Sequence, residues 1–113
     1  MRATEPALLL RVFIGEADRY EGRPLYEWIV HKAREENLSG ATVFRGIEGY
    51  GAGSRIHTGS ILRLSSDLPV VVEIVDREDR IEHFLEILDR VIDEGLVTVE
   101  KAAVRIYRTQ PAG

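Results

Sequence analysis

Val70-Val71-Val72-Glu73-Ile74-Val75-Asp76-Arg77-Glu78-Asp79 places a strand directly against the start of a helix. Five of its first six residues are β-branched, which favours a pleated strand. Asp76 offers a helix N-cap, with Asp79 three residues on and further acid in the first turn. Ile81, Phe84, Leu85, Leu88, Val91 and Ile92 then fall at i, i+3, i+4, i+7, i+10 and i+11, an amphipathic helical stripe that Gly95 is placed to end. Upstream, Ser66-Asp67-Leu68-Pro69 is a turn signal.

The same strand-then-helix order occurs at the amino end. In Leu8–Ile14 one face carries Leu8, Leu10, Val12 and Ile14, and the other Leu9, Arg11 and Phe13. Gly15 ends the strand, and Glu16 to Arg23 is polar turn material. Pro24 suits the first turn of a helix, where its missing N–H goes unnoticed. Leu25, Trp28, Ile29 and Ala33 repeat at helical spacing, and the helix should stop near Asn37 with Gly40 just beyond. Trp28 reads as a core anchor rather than a ligand platform.

Ala41–Ile47 is a second strand, and Ser60–Ser65 is ambiguous, a candidate strand extension. Leu96–Arg108 is the last strand region. Val97 and Val99 share one parity while Ala102, Val104 and Ile106 take the other, which predicts a bulge at Glu100–Ala103. The order is βαβ–loop–βαβ. It predicts an α+β, ferredoxin-like βαββαβ sandwich, a four-stranded antiparallel sheet with two helices on one face. Residues 1–113 form a single domain with an ordered core over about residues 8–108. The helix-free face should carry Leu9, Phe13, Val71 and Val75, with Arg11 and Glu73 paired among them. An apolar open face predicts self-association with closed cyclic symmetry.

Composition narrows the function. The chain has 113 residues, 44% hydrophobic and 30% charged, an ordinary globular balance. A net charge of −4 offers no basic stripe for nucleic acid. The absence of cysteine excludes disulfides and thiolate metal sites. Ala7–Leu10 is too short for a signal core, and no apolar stretch approaches the ~20 residues that span a bilayer. A cytoplasmic protein without direct membrane insertion is expected.

Between the second and third strands, Thr42 to Ser60 carries Gly46, Gly49, Gly51, Gly53 and Gly59, half of the chain's 10 glycines. Such density is tolerated where the backbone turns sharply or approaches something closely. Arg45, Glu48, Tyr50, Arg55 and His57 are interleaved with the glycines, a mixture suited to an anionic small molecule or a partner protein. A plain long hairpin connection fits the spacing equally well.

No catalytic constellation stands out. His31, His57 and His83 lie on different elements without metal-ligand spacing, and Ser54 and Ser60 lack a base and an orienting acid. Ala52 stands where a P-loop would have lysine. Glycine N–H groups with Arg45 and Arg55 remain as a generic anion nest. Lys101, Arg105 and Arg108 add cations on the last strand, which suggest a phosphorylated ligand; for Lys101 and Arg108, charges that block edge aggregation explain them as well.

The run Arg45-Gly-Ile-Glu-Gly-Tyr-Gly-Ala-Gly-Ser-Arg-Ile-His-Thr58 closely resembles the signature of the DUF190 family, a PII-like family. The similarity extends to Ile14-Gly-Glu-Ala-Asp18, Pro24-Leu-Tyr26, Leu62-Arg-Leu-Ser65, Asp67-Leu-Pro-Val-Val71 and Glu73-Ile-Val-Asp76, and so covers about residues 8–108. The resemblance implies a homotrimer of ferredoxin-like subunits with ligands in the clefts between them. It implies that the Gly46–Gly59 loop corresponds to the PII T-loop, which changes shape with bound nucleotide and docks on a target protein, a membrane transporter being one candidate. ATP, ADP or AMP is then the expected ligand, with no cofactor required. Arg45 and Arg55 would take anionic oxygens, Gly49, Gly51 and Gly53 would allow close backbone approach, Tyr50 would stack on a base, and Arg105 would join from the last strand. The phosphate contacts of PII do not carry over residue by residue. Two alternatives belong to other classes: a small trimeric enzyme with Glu48 and His57 as acid and base, and an adaptor whose loop binds protein without a ligand.

Overall fold

The computed structural model describes residues 3–50 and 67–109. Strand β1 (Glu5–Gly15) lies inside a four-stranded sheet with β4 (Thr42–Arg45), β5 (Pro69–Asp76) and β6 (Leu96–Val104), in the order β4-β5-β1-β6. Every neighbouring pair is antiparallel, with β1 running from Leu8↔Asp76 to Gly15↔Pro69 along β5 and from Glu5↔Val104 to Phe13↔Leu96 along β6. Helices α1 (Leu25–Glu35) and α2 (Glu78–Asp89) cover one face. This is the α+β, ferredoxin-like arrangement that the element order predicts.

The alternation in the strands fixes which face is covered. Leu8, Leu10, Val12 and Ile14 are buried beside Val70, Val72 and Ile74. The helices add Leu25, Ile29 and Ala33 from α1, and Ile81, Phe84, Ile87 and Leu88 from α2. Full burial of a valine, leucine, isoleucine or phenylalanine among them contributes roughly 1.5–3 kcal/mol. Ile87, three residues after Phe84, lies outside the predicted stripe because the buried band of α2 is wider than one row. Trp28 packs half-buried at the rim, edge-on to Tyr20 with ring centroids 4.9 Å apart, consistent with an anchoring role.

The open face is as expected in composition. Phe44, Val71, Phe13 and Leu96 form one row across all four strands, and Phe44 and Leu96 are 51% and 60% exposed. Beside that row Arg11 Nε donates to Glu73 Oε2 at 2.8 Å, the expected pair, and a second nitrogen donates to Glu100 Oε1 at 2.7 Å.

Several junctions differ from their sequence reading. Asp76 is not the N-cap of α2: the β1–β5 ladder continues through Leu8↔Asp76, so Arg77 takes the cap position without a side-chain cap bond. The Asp76 carboxylate instead accepts from the backbone N–H groups of Ser39 (2.8 Å) and Arg77 (2.7 Å). Pro24 precedes α1 rather than opening it. It pairs with Arg19 in a small hairpin, β2 (Arg19–Tyr20) and β3 (Arg23–Pro24), inside the segment read as a polar turn. Glu21 and Gly22, at φ of 50° and 81°, supply the two left-handed positions that a tight hairpin turn needs.

Helix α1 stops near Asn37 as predicted, and Asn37 itself takes the left-handed position at φ 60°. Leu38 N donates to Ala33 O and Asn37 N to Arg34 O, both at 3.0 Å, a Schellman closure that needs nothing from Gly40. Gly95 does not end α2, which stops at Asp89; it immediately precedes β6. The predicted bulge is absent, since the β1–β6 register is unbroken from Phe13↔Leu96 to Glu5↔Val104. Val97 and Val99 face the helices and Ala102 and Val104 the open side, so the apolar residues change face along a regular strand. The second strand is Thr42–Arg45, shorter than Ala41–Ile47, and the last strand stops at Val104 rather than Arg108. Ser60–Ser65 lies outside the described residues.

Candidate ligand site at the root of the glycine-rich loop

Three segments distant in sequence meet at the Gly15 end of the sheet: the end of β1, the end of β4 and the turn into β5. Glu16 N donates to Leu68 O (2.8 Å), and Gly46 N donates to Pro69 O (2.7 Å). Ala17 N donates to Asp67 Oδ1 (3.2 Å), and Gly15 N to Asp18 Oδ2 (3.0 Å). Close approach explains two glycines here. A Cβ on Gly15 would stand 2.1 Å from Asp67 Oδ1, and one on Gly46 would stand 2.8 Å from Pro69 Cγ.

Arg45 and Gly46 are thus fixed at the base of the glycine-rich stretch. Arg45 forms an ion pair with Glu16, its side chain 60% exposed against 17% for the carboxylate. Glu16 Oε2 takes the guanidinium, while Oε1 is buried and has no hydrogen-bond partner among the described residues. Gly49 packs against Pro69, and Tyr50 is well exposed. Gly51, Gly53, Arg55 and His57 lie outside the described residues.

Arg105 is placed elsewhere. It follows β6, and its guanidinium donates to Thr4 Oγ1 at 3.2 and 3.3 Å, beside the start of β1. The 11 residues of β1 separate it from the loop root, roughly 35 Å at strand rise. Within one chain Arg105 therefore does not join Arg45, Gly49 and Tyr50. At its own end, Arg77, Arg80 and Arg108 border a groove of about 340 Å³ floored by Pro6, Ala7 and Val75. Arg80 is engaged there with Asn37 O (2.7 Å).

His83 Nε2 lies 3.1 Å from Glu36 Oε1 and links the two helices. Glu73, through its hydrogen bond first, raises the Arg11 guanidinium above its ordinary pKa, against a smaller opposing effect of desolvation. Among the described residues no group of three or more metal-ligating side chains is assembled, and no helix is long and apolar enough to cross a membrane.

Glu16 is a candidate site residue that sequence reasoning misses. It stands within Ile14–Asp18, one of the segments carrying the family resemblance, but only the fold shows that it meets Arg45.

Comparison with known proteins agrees with the architecture. The DUF190 family profile, described as an uncharacterized ACR, matches residues 7–104. A UPF0166 protein from Aquifex aeolicus is 45% identical over 96 residues, covering 85% of this chain and 90% of that protein. A UPF0166 protein from Methanocaldococcus jannaschii is 39% identical over 94 residues, covering 82% and 86%. Among solved structures, CPII from Thiomonas intermedia bound to ADP and bicarbonate aligns with a TM-score of 0.63 at 16% identity, covering 92% of this chain and 93% of that one. A putative PII-like signaling protein from Thermus thermophilus aligns with a TM-score of 0.59 at 16% identity, covering 91% of each. At such identities the structural likeness shows the fold, which is PII-like.

Proposed function

The chain belongs to the DUF190 family, and on that premise we propose that it is a PII-like regulatory protein, not an enzyme, that binds an adenine nucleotide or similar phosphorylated ligand. The observation that carries this reading is the convergence of Gly15–Asp18, Arg45–Gly46 and Asp67–Pro69 on one end of the sheet. They form a hydrogen-bonded base from which the glycine-rich stretch leaves. A cation, Arg45, stands at that base where an anionic group would be read. The solved relatives support the ligand class: CPII is described bound to ADP in one structure, and to ADP, AMP and acetate in another.

In this reading the molecule is a homotrimer with its ligands in subunit clefts. Arg55, Gly51 and Gly53 of the same chain and Arg105 of a neighbouring copy complete the site around Arg45, Gly49 and Tyr50. Ordering the loop 46–59 costs roughly 1–2 kcal/mol per fixed residue in backbone entropy. A ligand that offsets this shifts the loop's population and hence its affinity for a target protein. The protein works in the cytoplasm, and a membrane transporter is one candidate target.

Titration calorimetry with ATP, ADP, AMP and cyclic AMP tests the reading. Saturable heat from at least one of them is expected, reduced by Arg45→Gln. No heat from any, with the protein folded, rejects it. Nucleotide turnover that stops in His57→Ala would move the protein to the enzymes instead.

A further inference from the structure

We propose that Glu16 masks Arg45, so that an incoming anion must displace a carboxylate and only multiply charged phosphate groups do so readily. The proposal deepens the ligand reading above and rests on anion binding at the loop root.

The two partners are unequal. Glu16 is held by its backbone, whose N–H is bonded to Leu68 O at 2.8 Å, and by the next residue, whose N–H is bonded to Asp67. Its side chain is 17% exposed, while that of Arg45 is 60% exposed. The guanidinium is therefore the group free to swing. Buried acceptors are nearly always satisfied, yet Glu16 Oε1 has no hydrogen-bond partner among the described residues. Departure of Arg45 would leave both oxygens of a largely buried carboxylate unpaired, which is unfavourable.

This penalty sets a threshold. A monoanion offers Arg45 the same charge as the carboxylate it replaces, and strands Glu16 in the exchange. A phosphate group with two or more charges gives Arg45 a stronger, bidentate partner and can exceed the penalty. The neighbouring carboxylates of Asp18 and Asp67 are committed to the Gly15 and Ala17 amides, and they add to the field that a weak anion must overcome. Glu16 is thus a specificity-determining residue that selects by ligand charge.

The test titrates wild type, Glu16→Gln, Arg45→Gln and the double variant with inorganic pyrophosphate, sodium acetate and ADP, after circular dichroism establishes folding. Glu16→Gln keeps an acceptor for Arg45 but removes the charge. It should tighten pyrophosphate binding by roughly 1.4- to fivefold, the range of a largely exposed ion pair. It should bring acetate binding into measurable range, and the double variant should lose both gains. Should Glu16→Gln fail to fold, Glu16→Asp, which retracts the carboxylate by one methylene, should show the same direction with a smaller gain. Unchanged or weaker pyrophosphate binding in the folded variant overturns the proposal. If wild type binds ADP and the variant shows no gain, masking falls while the nucleotide reading stands. If no version binds ADP but the variant gains pyrophosphate, masking stands and the nucleotide reading falls.

Discussion

At Gly95 the absence of a side chain sets how closely β6 can enter beside β1. A Cβ there would lie 2.9 Å from the Phe13 carbonyl oxygen and 3.1 Å from Ile14 Cγ2. A backbone oxygen cannot rotate aside, so the strand itself would have to move. Gly95→Ala should therefore lower stability by about 1–3 kcal/mol. Gly40 is the contrast, with nothing within 4 Å of an added Cβ. Gly40→Ala should raise stability by about 0.4–1 kcal/mol, by restricting the unfolded chain. Urea midpoints of the two variants check this, and equal shifts would remove the steric distinction. The same pair shows a limit of sequence reading. A glycine after an apolar helical stripe looks like a helix end whether it caps the helix, as Asn37 does for α1, or clears the carbonyl of a residue far back in the chain, as Gly95 does for Phe13.

Between elements, Asp76 acts as a joint. Its side chain is only 9% exposed, lies 3.9 Å from Arg80, and accepts from the Ser39 and Arg77 amides, tying the α1–β4 connection to the β5–α2 turn. Asp76→Ala leaves two amides to find new partners and should cost about 1–3 kcal/mol, read as a lower melting temperature. Asp76→Asn, which keeps an acceptor oxygen, should recover part of the loss. The faces of β1, β5 and α2 are legible in the sequence because burial on one side imposes a period of its own. The junctions at Asp76 and along β6 are not, because their outcome is decided by long-range partners: the β1–β5 ladder that reaches Asp76 and the unbroken β1–β6 register. The candidate site divides the same way. Its glycines and Arg45 can be read from composition, whereas Glu16 stands 29 positions from Arg45 and gains meaning only when β1 and β4 end together.

At the scale of the whole molecule, the sheet presents the row Phe44–Val71–Phe13–Leu96 on its uncovered face, beside the Glu73–Arg11–Glu100 network. The network's cation is constant across neutral pH. A pKa raised by folding gives stability that is present below the unfolded value and lost only as pH rises through the folded one, and for an arginine that window is strongly alkaline. The apolar row is then the variable term, and closed cyclic assembly is the economical way to cover it. Sedimentation equilibrium should give three times the 12.7 kDa of one chain. Leu96→Glu should dissociate that assembly with little effect on the fold of each copy, since the side chain is 60% exposed in a single chain and surface changes are usually within about 0.5 kcal/mol. Glu86→Lys, on the helical side, should leave the mass unchanged. A wild type that sediments as one chain would reject the assembly. The dissociated variant also separates two geometries for the ligand. If nucleotide heat disappears with the mass, Arg105 or another group of a neighbouring copy is needed, as its distance from Arg45 within one chain requires. If the heat persists in the single chain, the loop root around Arg45 is sufficient by itself.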